Sequence, residues 1–194
     1  MVNPAKRTRV PYAEYLAAER ASELRHEYLR GEVWAMAGGT PEHARLALAV
    51  GAELRAAVRG RPCVVFSSDL RVRIQDTDRA TYPDVTVVCG ERRAPDDDPD
   101  AVTNPIVLVE VLSDSTEQAD RGEKFAHYRR IPSLREYVLV SQDAPRVEVF
   151  RRQPDGWLLV EAGPGGSVVL ESIGATLLVD EIYADPLGGR PERT

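Results

Sequence analysis

Apolar positions recur at helical spacing in three parts of the chain. Residues 12–22 show this spacing and predict a first helix. A second helix is predicted over 40–59, because Thr40 is a good capping residue and a proline and an acid follow it. A third is predicted over 117–130, with Pro132 ending it. The apolar stripe of the second helix consists of Leu46, Val50, Leu54 and Val58.

Alternating or continuous apolar runs predict strands between and after these helices. Residues 70–75 (LRVRIQ) alternate as a half-buried strand does, and residues 106–112 (IVLVEVL) are almost continuously apolar, as in a buried strand. Turn residues at Arg30-Gly31 and Asp155-Gly156 predict hairpins. Further strands are predicted within 62–68, 81–90, 136–141, 146–152, 157–162 and 167–172, and a last helical turn within 180–185. Strands mixed with helices predict an α/β (α+β) fold with a central sheet.

Composition limits the organisation of the chain. With 194 residues and 43% hydrophobic content, one domain with a real core is expected over 1–194, with its core at about 11–183 and a flexible tail at 186–194. No run is long enough for a transmembrane helix, and the N-terminus lacks the apolar segment of a signal peptide, so we expect a cytoplasmic protein without membrane contact. Cys63 and Cys89 lie in apolar surroundings and are interpreted as small core residues rather than as a disulfide.

Charge narrows the choice of partners. The formal net charge is −6, which argues against a general polyanion binder, since non-specific affinity for nucleic acids comes mainly from Lys and Arg. Arginines nevertheless cluster between 121 and 135. The acid run at 96–100 is interpreted as a solvated loop. Lysine occurs only at positions 6 and 124, which makes Lys124 notable, because lysine can release a proton where arginine does not.

Glu110 interrupts the apolar run 106–112. Burying a carboxylate is costly unless it is paired or binds a metal. Asp84 stands at the entry of another predicted strand, and if the two strands are neighbours both carboxylates reach one point at the edge of the sheet. With the backbone carbonyl of Val111 they would form an oxygen site suited to Mg²⁺ or Mn²⁺. Lys124, on the following helix, would orient or deprotonate a water or stabilise charge on a phosphate.

These segments resemble the Uma2-type (DUF820) family of restriction-endonuclease-like proteins in the PD-(D/E)xK nuclease superfamily. The similar segments are YPDVTVVCG, PIVLVEVLSDST and DRGEKFAHYRRIPSLREYVLVS, together with LRGEVWAMAGGTPEHARL and SSDLRVRI, and they extend over about 11–183. The resemblance implies a restriction-endonuclease-like core, in which helices flank a mixed sheet, and divalent-metal-dependent hydrolysis of phosphodiesters. It also implies that Asp84 and Glu110 are metal ligands. The superfamily's usual lysine would stand at 112, where this chain has Leu112, and Lys124 fits as its replacement.

Three more residues are candidates for the site. His43 begins the second helix and would face the metal, or else be a surface histidine at a helix start. Asp69 is a third acid or a turn residue, and Glu32 is a site residue or a partner in a salt bridge at a strand edge. Two neighbours of Lys124 are explained without chemistry, Asp120 by an i,i+4 ion pair and Tyr128 by packing.

The leading hypothesis is therefore a Mg²⁺- or Mn²⁺-dependent endonuclease acting on DNA. Two alternatives stay open at this point: an inactive nuclease-fold protein used for binding or assembly, and a metal-dependent hydrolase of small phosphoesters. The acidic balance and Leu112 favour the first alternative slightly. A homodimer is expected, with the apolar strands near 135–170 as its interface.

Overall fold

The structure, a computed structural model, describes residues 9–36, 38–114 and 116–185, so the predicted tail at 186–194 lies outside the described residues. Its helices are α1 (Tyr12–Ala21), α2 (Pro41–Ala57), α3 (Glu117–Ala119), α4 (Phe125–Tyr128) and α5 (Val179–Tyr183), with a 3-10 turn at Gln75–Thr77 and a π-helical turn at Asp120–Lys124. No helix in the described ranges is long and apolar enough to cross a membrane.

The strands form three sheets. They are β1 (His26–Leu29), β2 (Glu32–Ala35), β3 (Cys63–Ser67), β4 (Arg71–Ile74), β5 (Arg79–Thr81), β6 (Val85–Cys89), β7 (Ala101–Val102), β8 (Val107–Val111), β9 (Glu136–Val140), β10 (Val147–Gln153), β11 (Gly156–Ala162), β12 (Ser167–Leu170) and β13 (Ala175–Leu178). A six-stranded sheet has the order β11-β10-β9-β8-β6-β3, a five-stranded sheet the order β2-β1-β5-β4-β7, and β12 pairs with β13. Because β8 runs parallel to β9 but antiparallel to β6, the predicted mixed sheet is confirmed.

Helix α2 covers one face of the six-stranded sheet. Thr40 caps it as predicted, since the threonine side chain accepts a hydrogen bond from the backbone N–H of His43. The predicted apolar stripe is fully buried against the valines of β6 and β8. The cap fixes where the helix begins, and it thereby fixes the position of His43 at the end of the sheet.

Helices α3 and α4, joined by the π-helical turn, cover the opposite face. We call this continuous segment, residues 117–128, the lysine helix. It forms the crossover between the parallel strands β8 and β9. Phe125 and Tyr128 pack in the same apolar cluster as Leu108 and Leu112. Residue 112 is thus a core leucine, and Lys124 is brought over the face of β8 that carries Glu110.

Three short strands, β5, β7 and β13, were not predicted. β5 and β7 contain only three and two residues, too few to show a period-two pattern, and the four residues of β13 (ATLL) do not alternate between apolar and polar. β7 directly follows the acid run at 96–100, which the sequence indicated as a solvated loop. These strands form through pairing with neighbours, which the local sequence does not show.

The prediction for the cysteines was wrong. Cys63 and Cys89 form a disulfide that joins the antiparallel partners β3 and β6, in which they are directly opposed. The two residues are 26 positions apart in sequence, and only the register of the two strands brings them together.

The prediction of a solvated acid run was also wrong at one position. Asp98 is fully buried, and its carboxylate accepts hydrogen bonds from Arg71 (Nε–Oδ2 2.8 Å) and from the hydroxyl of Tyr12 (2.6 Å). Its neighbour Asp97 is exposed. Burial alone would raise the pKa of Asp98, but the hydrogen bonds from Arg71 and Tyr12 outweigh it and lower that pKa.

We expect Asp98→Ala to lower the free energy of unfolding by about 3–5 kcal/mol, because it leaves the buried Arg71 without its partner. Asp97→Ala, the matched control, should change it by less than about 0.5 kcal/mol. Because the pKa of Asp98 is lowered, its contribution is present at neutral pH and is lost as the pH falls through that pKa. Urea unfolding at several pH values measures both effects, and equal losses in the two variants would contradict the assignment.

Candidate active site

Asp84 and Glu110 lie close together at one end of the six-stranded sheet. The ladder between β6 and β8 ends at the pair Val85 and Val109, and Asp84 and Glu110 are the residues next to this pair on the two chain segments. The charge of Asp84 is one of the causes that raise the pKa of Glu110, which shows that the two carboxylates are near each other. Both side chains are largely buried, with 11% of Asp84 and 5% of Glu110 exposed. β6 and β8 are therefore neighbours in one sheet, as predicted.

The Asp84 carboxylate is held by two donors. Its Oδ2 accepts a hydrogen bond from the backbone N–H of Val111 (2.7 Å) and lies 3.2 Å from Nε2 of His43. The hydrogen bond to Asp84 raises the pKa of His43 above its usual value. Of the three additional candidates, His43 is thus the one that the structure brings to Asp84.

The backbone of Val111 faces the same position. In a strand, the N–H and C=O groups of one residue point toward the same neighbouring strand. Since the N–H of Val111 bonds to Asp84, its carbonyl also points to the Asp84 side, beyond the end of the β6 ladder. The role of this carbonyl as a metal ligand stays a prediction.

Lys124 reaches Glu110 from the lysine helix. Its Nζ lies 3.2 Å from Oε1 of Glu110, and the hydroxyl of Tyr128 donates a hydrogen bond of 2.6 Å to the same oxygen. Tyr128 therefore does more than pack, in contrast to its sequence interpretation. Burial raises the pKa of Glu110 to about 8, although the charge of Lys124 acts in the opposite direction.

Two further carboxylates surround the ammonium group of Lys124. Asp120 Oδ1 lies 2.9 Å and Glu27 Oε1 3.8 Å from Nζ. The i,i+4 pair expected for Asp120 is confirmed, and it is buried rather than on the surface. Burial alone would lower the pKa of Lys124, but Glu110, Glu27 and Asp120 outweigh it and hold that pKa well above its usual value.

Glu27 comes from the five-stranded sheet and was missed by the sequence interpretation. Its Oε2 accepts a hydrogen bond from Arg79 (3.0 Å), and its Oε1 accepts one from the hydroxyl of Thr81 (2.6 Å). Arg79 also bonds to Glu123, the neighbour of Lys124 (2.8 Å). The sequence signal for Glu27 was the same as for Glu110, a charged residue within a short strand. No nearby residue, however, indicated that its partners would be Arg79 and Thr81.

Asp69 and Glu32 lie elsewhere. The side chain of Asp69 is 79% exposed and is 3.6 Å from the guanidinium of Arg25, while Glu32 is exposed on β2. Neither contacts the cluster of charges described above, within the part of the chain that the structure describes.

The oxygen atoms of Asp84, Glu110 and the Val111 carbonyl suit a hard divalent cation that takes few of its ligands from the protein. No group of three or more His, Cys, Asp or Glu side chains that could hold a metal ion occurs among residues 9–36, 38–114 and 116–185. A site here would consist of Asp84, Glu110 and the Val111 carbonyl, completed by water. Mg²⁺ is commonly bound through one or two carboxylates and keeps several waters. One oxygen of each carboxylate, Asp84 Oδ1 and Glu110 Oε2, has no hydrogen-bond partner among the described residues, and these two oxygens fit such a site.

The chain is similar to a known protein family and to two uncharacterized proteins. The sequence matches the family described as "Uma2: Putative restriction endonuclease" over residues 12–179. The uncharacterized proteins slr1290 and sll1609 of Synechocystis sp. are 36% identical over 171 residues and 38% identical over 150 residues. These matches cover 88% and 77% of this chain, and 89% and 85% of the two proteins.

A crystal structure from Anabaena variabilis, described as "a putative nuclease belonging to DUF820", has a similar fold. The TM-score is 0.67 at 18% identity, with 84% of this chain and 91% of that chain covered. At this level of identity the likeness concerns the fold alone, and it agrees with the mixed α+β architecture.

We expect Glu110→Gln to stabilise the metal-free protein increasingly with pH. Below about pH 4.5 the glutamate is protonated in both the folded and the unfolded state, so the variant and the wild type should differ little. Between there and about pH 8 the wild type loses stability, because its unfolded state ionises first; the variant should gain about 1 kcal/mol or more. Urea unfolding in EDTA from pH 4 to 9 tests this, with Asp69→Asn as the control. A difference that does not grow with pH would contradict it.

Proposed function

The chain belongs to the Uma2 family, and on this premise we propose that it is a divalent-metal-dependent endonuclease that hydrolyses phosphodiester bonds in DNA. The observation that carries the proposal is the contact between Lys124 and Glu110, 3.2 Å apart, next to the position where the Asp84 carboxylate accepts a hydrogen bond from the N–H of Val111. Lys124, on the lysine helix, would provide the positive charge that Leu112 cannot provide.

Asp84, Glu110 and the Val111 carbonyl would hold Mg²⁺ or Mn²⁺. The bound ion would supply Lewis-acid stabilisation of the negative charge that develops on the phosphate. Asp84 is kept in place by the Val111 N–H and by His43, and Glu110 by Tyr128. Such second contacts orient the ligands and exclude alternative rotamers.

Lys124 would act as a fixed positive charge. Surrounded by Glu110, Asp120 and Glu27, it stays protonated, and its ammonium group can donate a hydrogen bond to a phosphate oxygen in the transition state. A preorganised donor of this kind needs no rearrangement when the substrate binds. Its carboxylate neighbours hold the group in position while they compensate its charge.

The organisation of the chain enters the proposal in three ways. We treat residues 1–194 as one domain, because the five-stranded sheet contributes Glu27 to a cluster centred on the lysine helix and β8.

We propose a homodimer formed through β11, an edge strand with Leu158 and Leu159 about half exposed. A cytoplasmic location stays a prediction.

We expect Glu110→Gln and Lys124→Met to lower the rate of DNA cleavage at least 100-fold, because each removes a charge that acts on the phosphate or on the metal. Plasmid nicking and cleavage of a single-stranded oligonucleotide with Mg²⁺, with Mn²⁺ and with EDTA measure this rate. Circular dichroism confirms that each variant is folded.

The matched controls are Asp69→Asn and Glu32→Gln, which change exposed acids outside the cluster and should leave the rate within twofold. Equal activity in Glu110→Gln and the wild type would refute the mechanism. Metal-dependent hydrolysis of bis(p-nitrophenyl) phosphate but not of DNA would favour a phosphoesterase acting on small substrates. Binding of DNA without hydrolysis of either substrate would favour a binding protein.

Light scattering is expected to give twice the chain mass of 21.4 kDa. Leu159→Glu should shift the protein to the monomer, since it places a charge in the proposed β11 interface. The control Leu48→Glu changes an exposed leucine of α2 and should remain dimeric. A monomeric wild type, or a dimer unaffected by Leu159→Glu, would contradict this interface.

A further inference from the structure

β2 is an edge strand that exposes all four of its residues, although two of them are large and apolar. Val33 is 39% and Trp34 38% exposed. The chain has two tryptophans, and the other, Trp157, packs against Phe125 and the guanidinium of Arg152. Trp34 therefore differs from Trp157 in presenting much of its indole to solvent.

The register of the five-stranded sheet places Trp34 next to the candidate active site. Trp34 is directly opposite Glu27 on β1, whose side chain bonds to Thr81 on β5, so Trp34 projects from the face that the lysine helix covers. Glu27 lies 3.8 Å from Nζ of Lys124. The indole therefore projects from the same face of the sheet as the carboxylate that contacts Lys124, one strand further toward the edge.

The indole is supported by a buried cation. The guanidinium of Arg79 lies 5.9 Å from the centre of the Trp34 ring, and its side chain is only 3% exposed. Glu27 and Glu123 hold Arg79 through ion pairs of 3.0 and 2.8 Å. Arg79 thus lies between the ring and the network of charges that surrounds Lys124.

The charge of the chain calls for a source of affinity other than phosphate contacts. With a net charge of −6, and with Glu27, Glu110 and Asp120 around Lys124, electrostatic attraction to a polyanion is weak. Stacking of a base on an aromatic side chain does not depend on charge and tolerates any base. It requires an accessible base face, which a base in the interior of a duplex does not offer.

We propose that Trp34 is a stacking platform for an unpaired base beside the scissile phosphate, and that the substrate of this site is single-stranded or locally unpaired DNA. This inference rests on the proposed nuclease function and specifies the substrate of that same site. Trp34 binds substrate, Lys124 and the carboxylates act on the phosphate, and Arg79 supports the indole from the buried side.

The test compares binding of a fluorescently labelled 12-nucleotide single strand with binding of the corresponding blunt duplex. Fluorescence anisotropy is recorded with Ca²⁺ in place of Mg²⁺ and again in EDTA, for the wild type, Trp34→Ala, Trp34→Phe and the control Leu48→Ala, an exposed leucine of α2. We expect the single strand to bind more tightly than the duplex. Trp34→Ala should weaken single-strand binding at least fivefold, while Trp34→Phe and Leu48→Ala stay within twofold.

Kinetics separate a binding role from a structural one. In Trp34→Ala the KM for the single strand should rise at least fivefold with kcat within twofold, whereas damage to the Lys124 network would lower kcat. Unchanged single-strand binding in Trp34→Ala, or equal losses for single strand and duplex, would overturn the inference.

The two proposals can fail separately. Cleavage that depends on Glu110 but not on Trp34 leaves the nuclease function in place and refutes the platform. Single-strand binding that depends on Trp34, without any cleavage, supports the platform and refutes the nuclease.

Discussion

The ion pair between Lys124 and Glu110 is the interaction on which the rest of the site depends. Both groups are almost removed from water, and burying either alone would be strongly unfavourable. Lys124 keeps its charge because Glu110, Asp120 and Glu27 surround it, and Glu110 is held by Lys124 and by the hydroxyl of Tyr128. The pair joins the crossover helix to β8 and, through Glu27, joins both to the second large sheet.

This dependence gives the π-helical turn at Asp120–Lys124 a physical role. It contains both Asp120 and Lys124, and its backbone carbonyl at Asp120 accepts a hydrogen bond from the hydroxyl of Tyr137 on β9. π-helical turns inside α-helices are often found at functional sites. Here the turn carries Lys124, while Leu112 packs in the apolar core.

The proposed function combines acidic surroundings with an anionic substrate. The cluster of carboxylates stabilises Lys124 but would repel phosphate, so affinity would have to come from a metal ion and from contacts that do not depend on charge. The exposed indole on β2, next to Arg79, is the proposed contact of the second kind. In this proposal the carboxylates keep Lys124 charged, and the neighbouring indole contributes affinity for the substrate.

The sequence by itself determined the parts of this protein that have local signals. The capped helix at Thr40, the buried strand with Glu110, and the set Asp84, Glu110 and Lys124 were all predicted, because periodicity, capping and an isolated charge are visible within a few residues. Family resemblance added the mixed sheet. Tertiary structure alone decided the disulfide, the burial of Asp98 and the contacts of Glu27 and Trp34. Each of these depends on strand register or on a pairing between distant segments, and no local pattern encodes which segments will meet.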